Sequence, residues 1–129
     1  MSRARAFSRL FLSAALAACA GACASVPSAA AARDRFPLDP REGLAGPFEA
    51  AIEKGWRALL ARDTARAEKD FARARSRPSR RAAAIGRIEA LVMSGRSSDA
   101  LTLCAEALGE PDVTVPLLSA CGEARARTA

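Results

Sequence analysis

Residues 67–74 read AEKDFARA, and 33 residues later residues 100–107 read ALTLCAEA. Each stretch places a small residue first, a larger one four positions on and an alanine three positions after that, which puts all three on one side of a helix. Around these stretches, apolar residues recur at helical spacing, with glycine, proline or a capping residue at each break. The pattern predicts five helices: one opening at Gly46-Pro47, one after Asp63 or Thr64 that ends at Pro78, one capped by Pro78-Ser79 and ending at Gly95, one capped by Ser97 and ending at Gly109, and one over about 115–127.

The spacing and the small residues resemble the tetratricopeptide repeat (TPR), whose period is about 34 residues. Gly55 takes the position of that family's small residue on the first helix of a pair, twelve residues before Ala67, and Pro78 and Pro111 fall near its closing proline. The resemblance covers residues 48–127. It implies an all-α fold, in which the helical hairpins of a short TPR-like solenoid end in a C-terminal capping helix. A plain helical bundle is the alternative.

The composition indicates thin, closely packed helices and a binding function. Half of the residues are hydrophobic, but only 5% are aromatic, and alanine supplies much of the hydrophobic share. Alanine is the best helix former and allows helices to approach closely. The chain has no histidine and no tyrosine, which removes histidine-dependent triads and imidazole metal sites. We therefore expect no enzyme activity, cofactor, metal site or small-molecule substrate.

Residues 1–18 are predicted to be a bacterial lipoprotein signal peptide. Residues 1–9 carry three arginines and no acid, and residues 10–18 (LFLSAALAA) are uncharged and largely apolar. This order is typical of an export signal, and the apolar run is too short to span a bilayer. Leu16-Ala17-Ala18-Cys19 resembles the lipobox, which implies that the chain is cut before Cys19 and that Cys19 is lipidated. Cys23 is the second choice.

The lipoprotein resemblance also implies a location. Several acyl chains hold a protein firmly to a membrane, and Ala20 replaces the aspartate that retains enteric lipoproteins in the inner membrane. We expect anchoring to the outer membrane, facing the periplasm; cleavage after Ala22-Cys23-Ala24 would instead give a soluble periplasmic protein. Residues 19–47 contain four of the seven prolines and are predicted to be the lipidated N-terminus and a flexible tether, from which three apolar side chains could dock on the domain: Phe36, Leu38 and Leu44.

The TPR resemblance implies a partner-binding groove lined by the first helix of each pair. Carried over by position, its residues are Ile52, Trp56, Leu59, Leu60, Ile85, Glu89, Val92 and Met93. Trp56 is the only tryptophan, and tryptophan is enriched at binding hot spots. The implied function is an adaptor or assembly factor that binds a protein partner in the cell envelope. In the alternative interpretation, Trp56 fills the core or is covered by the tether.

The region 57–87 is strongly basic, with ten lysines and arginines against three acids. Helical spacing predicts that its basic face contains Arg66, Lys69, Arg73 and Arg77 on the outside of the second helix. One interpretation is a solvated surface. The other is attraction to anionic lipid, peptidoglycan or an acidic partner, which would make the protein a structural accessory subunit of an envelope complex. Nucleic acid is not an expected partner of an exported protein.

Cys104 and Cys121 are the two remaining cysteines. An exported protein meets an oxidising compartment, and the repeat alignment places both residues between the fourth and fifth helices. A disulfide there would staple the C-terminal end of the domain. The alternative is two buried thiols that never meet.

Overall fold

Five helices carry the fold of residues 36–129, the part of the chain that the computed structural model describes. They are α1 (Ala50–Leu60), α2 (Thr64–Phe71), α3 (Arg77–Met93), α4 (Ser97–Leu108) and α5 (Val115–Thr128). This part of the chain contains no strand, so the all-α prediction is confirmed. The predicted signal peptide, Cys19 and Cys23 lie outside the described residues. None of the helices in the described part is both long and apolar enough to cross a membrane.

Short polar side chains begin three of the five helices. Asp63 accepts the backbone N–H of Arg66 at 3.1 Å and caps α2, as predicted. Thr114 accepts the backbone N–H of Leu117 at 3.4 Å and caps α5. Each bond satisfies one of the backbone donors that a helix leaves free in its first turn.

Four predicted helix boundaries differ from the structure. Arg96 rather than Ser97 is the N-cap of the fourth helix, and no side chain caps it. The first helix begins at Ala50 rather than at Pro47, with Glu49 as its N-cap. The second ends at Phe71, well before Pro78. Ser76 caps the third by accepting the backbone N–H of Ser79 at 3.4 Å, which places Pro78 inside its first turn. Proline is accommodated there because its missing N–H would have no partner in the helix.

The helices form two layers. α1 packs on α2 and α3, and α3 packs on α2, α4 and α5; α4 also packs on α5. Within the described residues, α2 and α4 do not contact each other. The odd-numbered helices therefore form one layer, and each even-numbered helix packs on the odd-numbered helices before and after it in the chain.

Phe71 occupies the space between α1 and α3. Its side chain is 1% exposed and lies against Gly55 of α1 and Gly86 of α3. A Cβ atom added at Gly55 would stand only 2.6 Å from the Phe71 ring, and one added at Gly86 would stand closer still. The two glycines thus make room for the one large aromatic side chain in the core of the first hairpin.

A disulfide joins Cys104 of α4 to Cys121 of α5, with their Cα atoms 5.8 Å apart. Both cysteines belong to an apolar cluster among α3, α4 and α5 that also includes Ile88, Leu91 and Leu117. The bond closes a separation of 17 residues. It attaches the terminal helix covalently to the rest of the domain.

Reduction of this disulfide is expected to lower the free energy of unfolding by about 2 to 3 kcal/mol, because a loop of this length loses much of its freedom in the cross-linked unfolded chain. Urea unfolding with and without reductant measures the change. The control is the Cys104→Ala/Cys121→Ala variant, whose free energy of unfolding should be the same with and without reductant. Equal stability of the oxidised and reduced wild type would contradict the expectation.

Candidate functional site

Residues 36–49 form a strap that crosses the helices. The backbone N–H of Leu38 donates to Glu89 Oε1 at 2.9 Å, and Pro40 is fully buried. Phe36 and Leu44 pack against the apolar core. The prediction of a flexible tether is therefore wrong for residues 36–47. This segment packs on the apolar core of the domain and donates a hydrogen bond to the buried carboxyl group of Glu89.

Ion pairs and hydrogen bonds fasten the strap at two further points. Arg41 pairs with Glu53 of α1 at 2.6 Å, and hydrogen bonds from Arg41 and Arg57 hold the pKa of Glu53 below its usual value. The carboxylate of Glu49 accepts the backbone N–H groups of Arg75 and Ser76, each at 2.8 Å. These two bonds lower the pKa of Glu49, and they tie the end of the strap to the turn before α3.

The strap lies where the sequence predicted an open groove. Trp56 and Met93 are half-buried against the cluster around Phe71, and Leu60 is 58% exposed. The other predicted groove residues are buried: Ile52, Leu59, Ile85, Glu89 and Val92. An open groove lined by these residues is therefore wrong. The structure agrees with the alternative that part of the tether covers this side of the domain.

Glu89 is a fully buried carboxyl group beneath the strap. Its Oε1 accepts the Leu38 N–H, whereas Oε2 has no hydrogen-bond partner among the described residues. Burial raises the pKa of Glu89 to about 9; the Leu38 N–H opposes this shift and the charge of Asp39 adds to it. Glu89 is therefore neutral at pH 7, and its position inside the core makes it a structural group.

A cleft of about 450 Å³ opens beside α3 and is the first candidate binding site. We call it the arginine cleft, since one wall carries Arg77, Arg80, Arg81 and Arg87. Its apolar lining comes from the strap and from α3, α4 and α5, through Leu44, Ile85, Leu103, Ala107 and Leu117. This volume lies within the range of known ligand pockets.

The charges of the arginine cleft are of two kinds. Arg81 is held in place, since it donates to the Pro111 carbonyl at 2.8 Å and pairs with Asp112. The other arginines of the wall are exposed and form no ion pair with a described residue: Arg77, Arg80 and Arg87. Guanidinium groups in this state are suited to bind carboxylates, in bidentate fashion where geometry permits. Three acids also line the cleft, Glu106, Glu110 and Asp112, and the last two pair with Arg81.

Exposed cations on α1, on α2 and in the turn that follows α2 make a second candidate site. We define the basic face as Lys54, Arg57, Arg66, Lys69 and Arg73, which line two adjoining shallow clefts. Sequence reasoning found Arg66, Lys69 and Arg73, but it missed Lys54 and Arg57, although their three-residue spacing placed both on one side of α1. Arg77 is not part of this face, because α2 ends at Phe71 and Arg77 begins α3.

Comparison with protein-family models, with curated proteins and with solved structures finds no match for this chain. The described residues include no group of three or more acidic or cysteine side chains placed to hold a metal ion. The case for a function therefore rests on the strap, the arginine cleft and the basic face.

Proposed function

We propose that the protein is a lipid-anchored adaptor of the bacterial cell envelope, whose TPR-like domain binds another protein. The arrangement of the helices supports the TPR-like interpretation. Each helix packs on the next, the first helices of successive pairs pack on one another, and the second helices do not. This is the pattern expected of stacked helical hairpins, in which each repeat contacts its neighbours.

The arginine cleft is the proposed partner site, because the strap lies over the side of the domain on which a groove was predicted. Because the strap occupies the side on which the groove was expected, a partner peptide has no access there. The arginine cleft combines an apolar lining with the exposed guanidinium groups of Arg80 and Arg87. An acidic peptide with one large apolar side chain has the complementary chemistry, since protein interfaces combine apolar anchors with polar rims. The cleft is the observation that carries the proposal.

The absence of histidine from the sequence supports a binding role over an enzymatic one. Glu89, the carboxyl group with the most strongly raised pKa among the described residues, is buried in the core and does not line the arginine cleft. The alternative function, an accessory subunit of an envelope complex that is held through the basic face, is favoured by the exposure of Lys54 and Lys69.

One capture experiment tests the proposal. Full-length protein with a C-terminal affinity tag is extracted from bacterial membranes after cross-linking, as the wild type and as Arg87→Glu. We expect an intact mass that begins at triacylated Cys19, and a wild-type cross-linked partner that Arg87→Glu reduces at least tenfold, because the substitution places a negative charge in the cleft wall.

The matched control is Arg125→Glu, which makes the same charge change on the exposed side of α5 and should keep the partner. An unmodified chain that begins after Ala24 would contradict the lipid anchor. Equal loss of the partner from both variants would contradict the cleft, and loss with Lys69→Glu alone would support the accessory function.

A further inference from the structure

We propose that the basic face is a docking surface for an anionic lipid bilayer, so that the domain rests on the membrane through α1 and α2. The two shallow clefts on this face are lined by five cations and two acids, Asp63 and Asp70. Anionic headgroups are the chemistry that such a surface attracts, and the attraction acts within a Debye length of the bilayer.

Of the two acids of this face, Asp70 is buried beneath the cations and Asp63 is exposed at the start of α2. The Asp70 side chain is only 7% exposed and pairs with Arg66 at 3.7 Å and with Arg73 at 3.3 Å. The carboxylate of Asp63 is engaged in capping α2. The side chains of Arg66 and Arg73 are 70% and 57% exposed. Asp70 therefore positions two guanidinium groups toward solvent, and the outermost charge of the face is positive.

The chemistry of the face favours a lipid surface over a protein. Apart from the charged side chains, its clefts are lined by alanines only: Ala58, Ala61 and Ala65. Protein interfaces need an apolar or aromatic centre, which these clefts lack. A headgroup layer needs no fitted surface, since each nearby cation adds about fivefold to partition into an anionic bilayer.

Leu60 extends the fit to a bilayer. It is 58% exposed and follows Arg57 by three residues, which places it on the same side of α1. Isolated apolar side chains among cations are typical of surfaces that lie at the headgroup boundary of a membrane. The long stems of lysine and arginine can cover apolar surface at that depth while their charges remain with the headgroups.

The anchor would bring this face to the bilayer, and this step alone rests on the proposed function. Sixteen residues separate Cys19 from Phe36, so their Cα atoms can never be more than about 60 Å apart. An anchored chain therefore presents the basic face to the bilayer at a high effective concentration.

Vesicle binding by the acyl-free chain from Ala20 onward tests the inference apart from the anchor. It contains the whole unit of residues 35–129 with its own apolar clusters. Sedimentation with phosphatidylcholine vesicles that contain about one third phosphatidylglycerol should show binding, and pure phosphatidylcholine should show none. Lys69→Glu and Lys54→Glu should each weaken binding at least tenfold, and both effects should shrink at high salt.

Arg125→Glu is the control, since it changes the net charge equally on α5 and should bind within twofold of the wild type. Circular dichroism verifies that all variants fold. Equal binding to charged and uncharged vesicles would overturn the inference. Binding of Lys69→Glu as strong as that of Arg125→Glu would overturn it as well. Retention of an acidic protein rather than vesicles by the basic face would also overturn it. If this chain binds vesicles but Cys19 is unmodified in the full-length protein extracted from membranes, only the proposed anchor is contradicted.

Discussion

Gly86→Val is expected to lower the free energy of unfolding by about 3 kcal/mol. The β-branched side chain would place its atoms inside the ring of Phe71, because even a single Cβ at this position lies too close to that ring. The Phe71 ring cannot shift toward α1 to relieve this clash, since it already lies against Gly55. Overpacking of this kind typically costs up to about 3 kcal/mol. Urea unfolding followed by circular dichroism measures the loss.

Gly122→Val is the matched control, because a Cβ at Gly122 of α5 meets no atom within 4 Å. Valine is a slightly better helix former than glycine, so this variant should equal or exceed the wild type in stability. Adding Phe71→Leu to Gly86→Val should recover part of the loss, since a smaller side chain at 71 leaves space for the new methyl groups. Additive losses in the double variant would show that the two residues do not share one space.

The five helices could be predicted because they depend on local spacing, and the small residue at Gly55 could be predicted because the TPR resemblance assigns one to its position. Apolar periodicity and the cap at Asp63 act within a few residues, and the structure follows them. The close packing at Gly86 was not predicted, although an isolated glycine inside a helical pattern often indicates such packing. It was missed because the ring that fills its space comes from another helix.

The sequence allowed for docking of Phe36 and Leu44 on the domain, which the structure shows. The order of the whole strap could not be predicted, because its hydrogen-bonding partners are distant in sequence. Leu38 and Glu89 are 51 residues apart, and no spacing rule connects them. The segment is rich in proline, which indicates a tether when read locally. Ile52, Ile85 and Val92 belong to the apolar clusters against which Phe36 and Leu44 of the strap pack, so they are core residues and do not line a groove.

Only part of the basic face was predicted, because the prediction used the spacing along one helix alone. Arg66 and Lys69 lie on α2 as expected. Lys54 was missed because the TPR pattern has an apolar residue at its position, and Arg77 was misplaced because α2 is shorter than the spacing suggested. Packing between helices, which adds Lys54 and Arg57 to the face, is absent from a pattern read along a single helix.

The stability of the protein is expected to fall as the pH rises from about 5 to 9, and Glu89→Gln is expected to remove most of this decline. In the unfolded chain Glu89 ionises near its ordinary pKa of 4.5, whereas in the folded protein burial raises the pKa to about 9. A raised folded pKa favours folding fully below 4.5 and loses that contribution as the pH rises toward 9. The loss at pH 7 is on the order of 3 kcal/mol.

Urea unfolding at pH 5, 7 and 9 measures this slope. The chain has no histidine, so no imidazole titrates between these values and obscures the effect. Glu42→Gln is the control, because Glu42 is an exposed glutamate on the same strap; its slope should match that of the wild type.

Glutamine suits this test because its side-chain oxygen can still accept the Leu38 N–H. An ionised Glu89 would have to be hydrated, which requires the strap to leave. The protection factor of the Leu38 amide, which corrects the exchange rate for base catalysis, should therefore fall at pH 9 in the wild type. In Glu89→Gln the strap should stay closed at that pH, because the neutral amide has no charge to hydrate. A variant with the wild-type slope and the wild-type exchange rate at pH 9 would show that Glu89 is already ionised in the folded protein. That result would contradict both the neutral carboxyl group and its place under the strap.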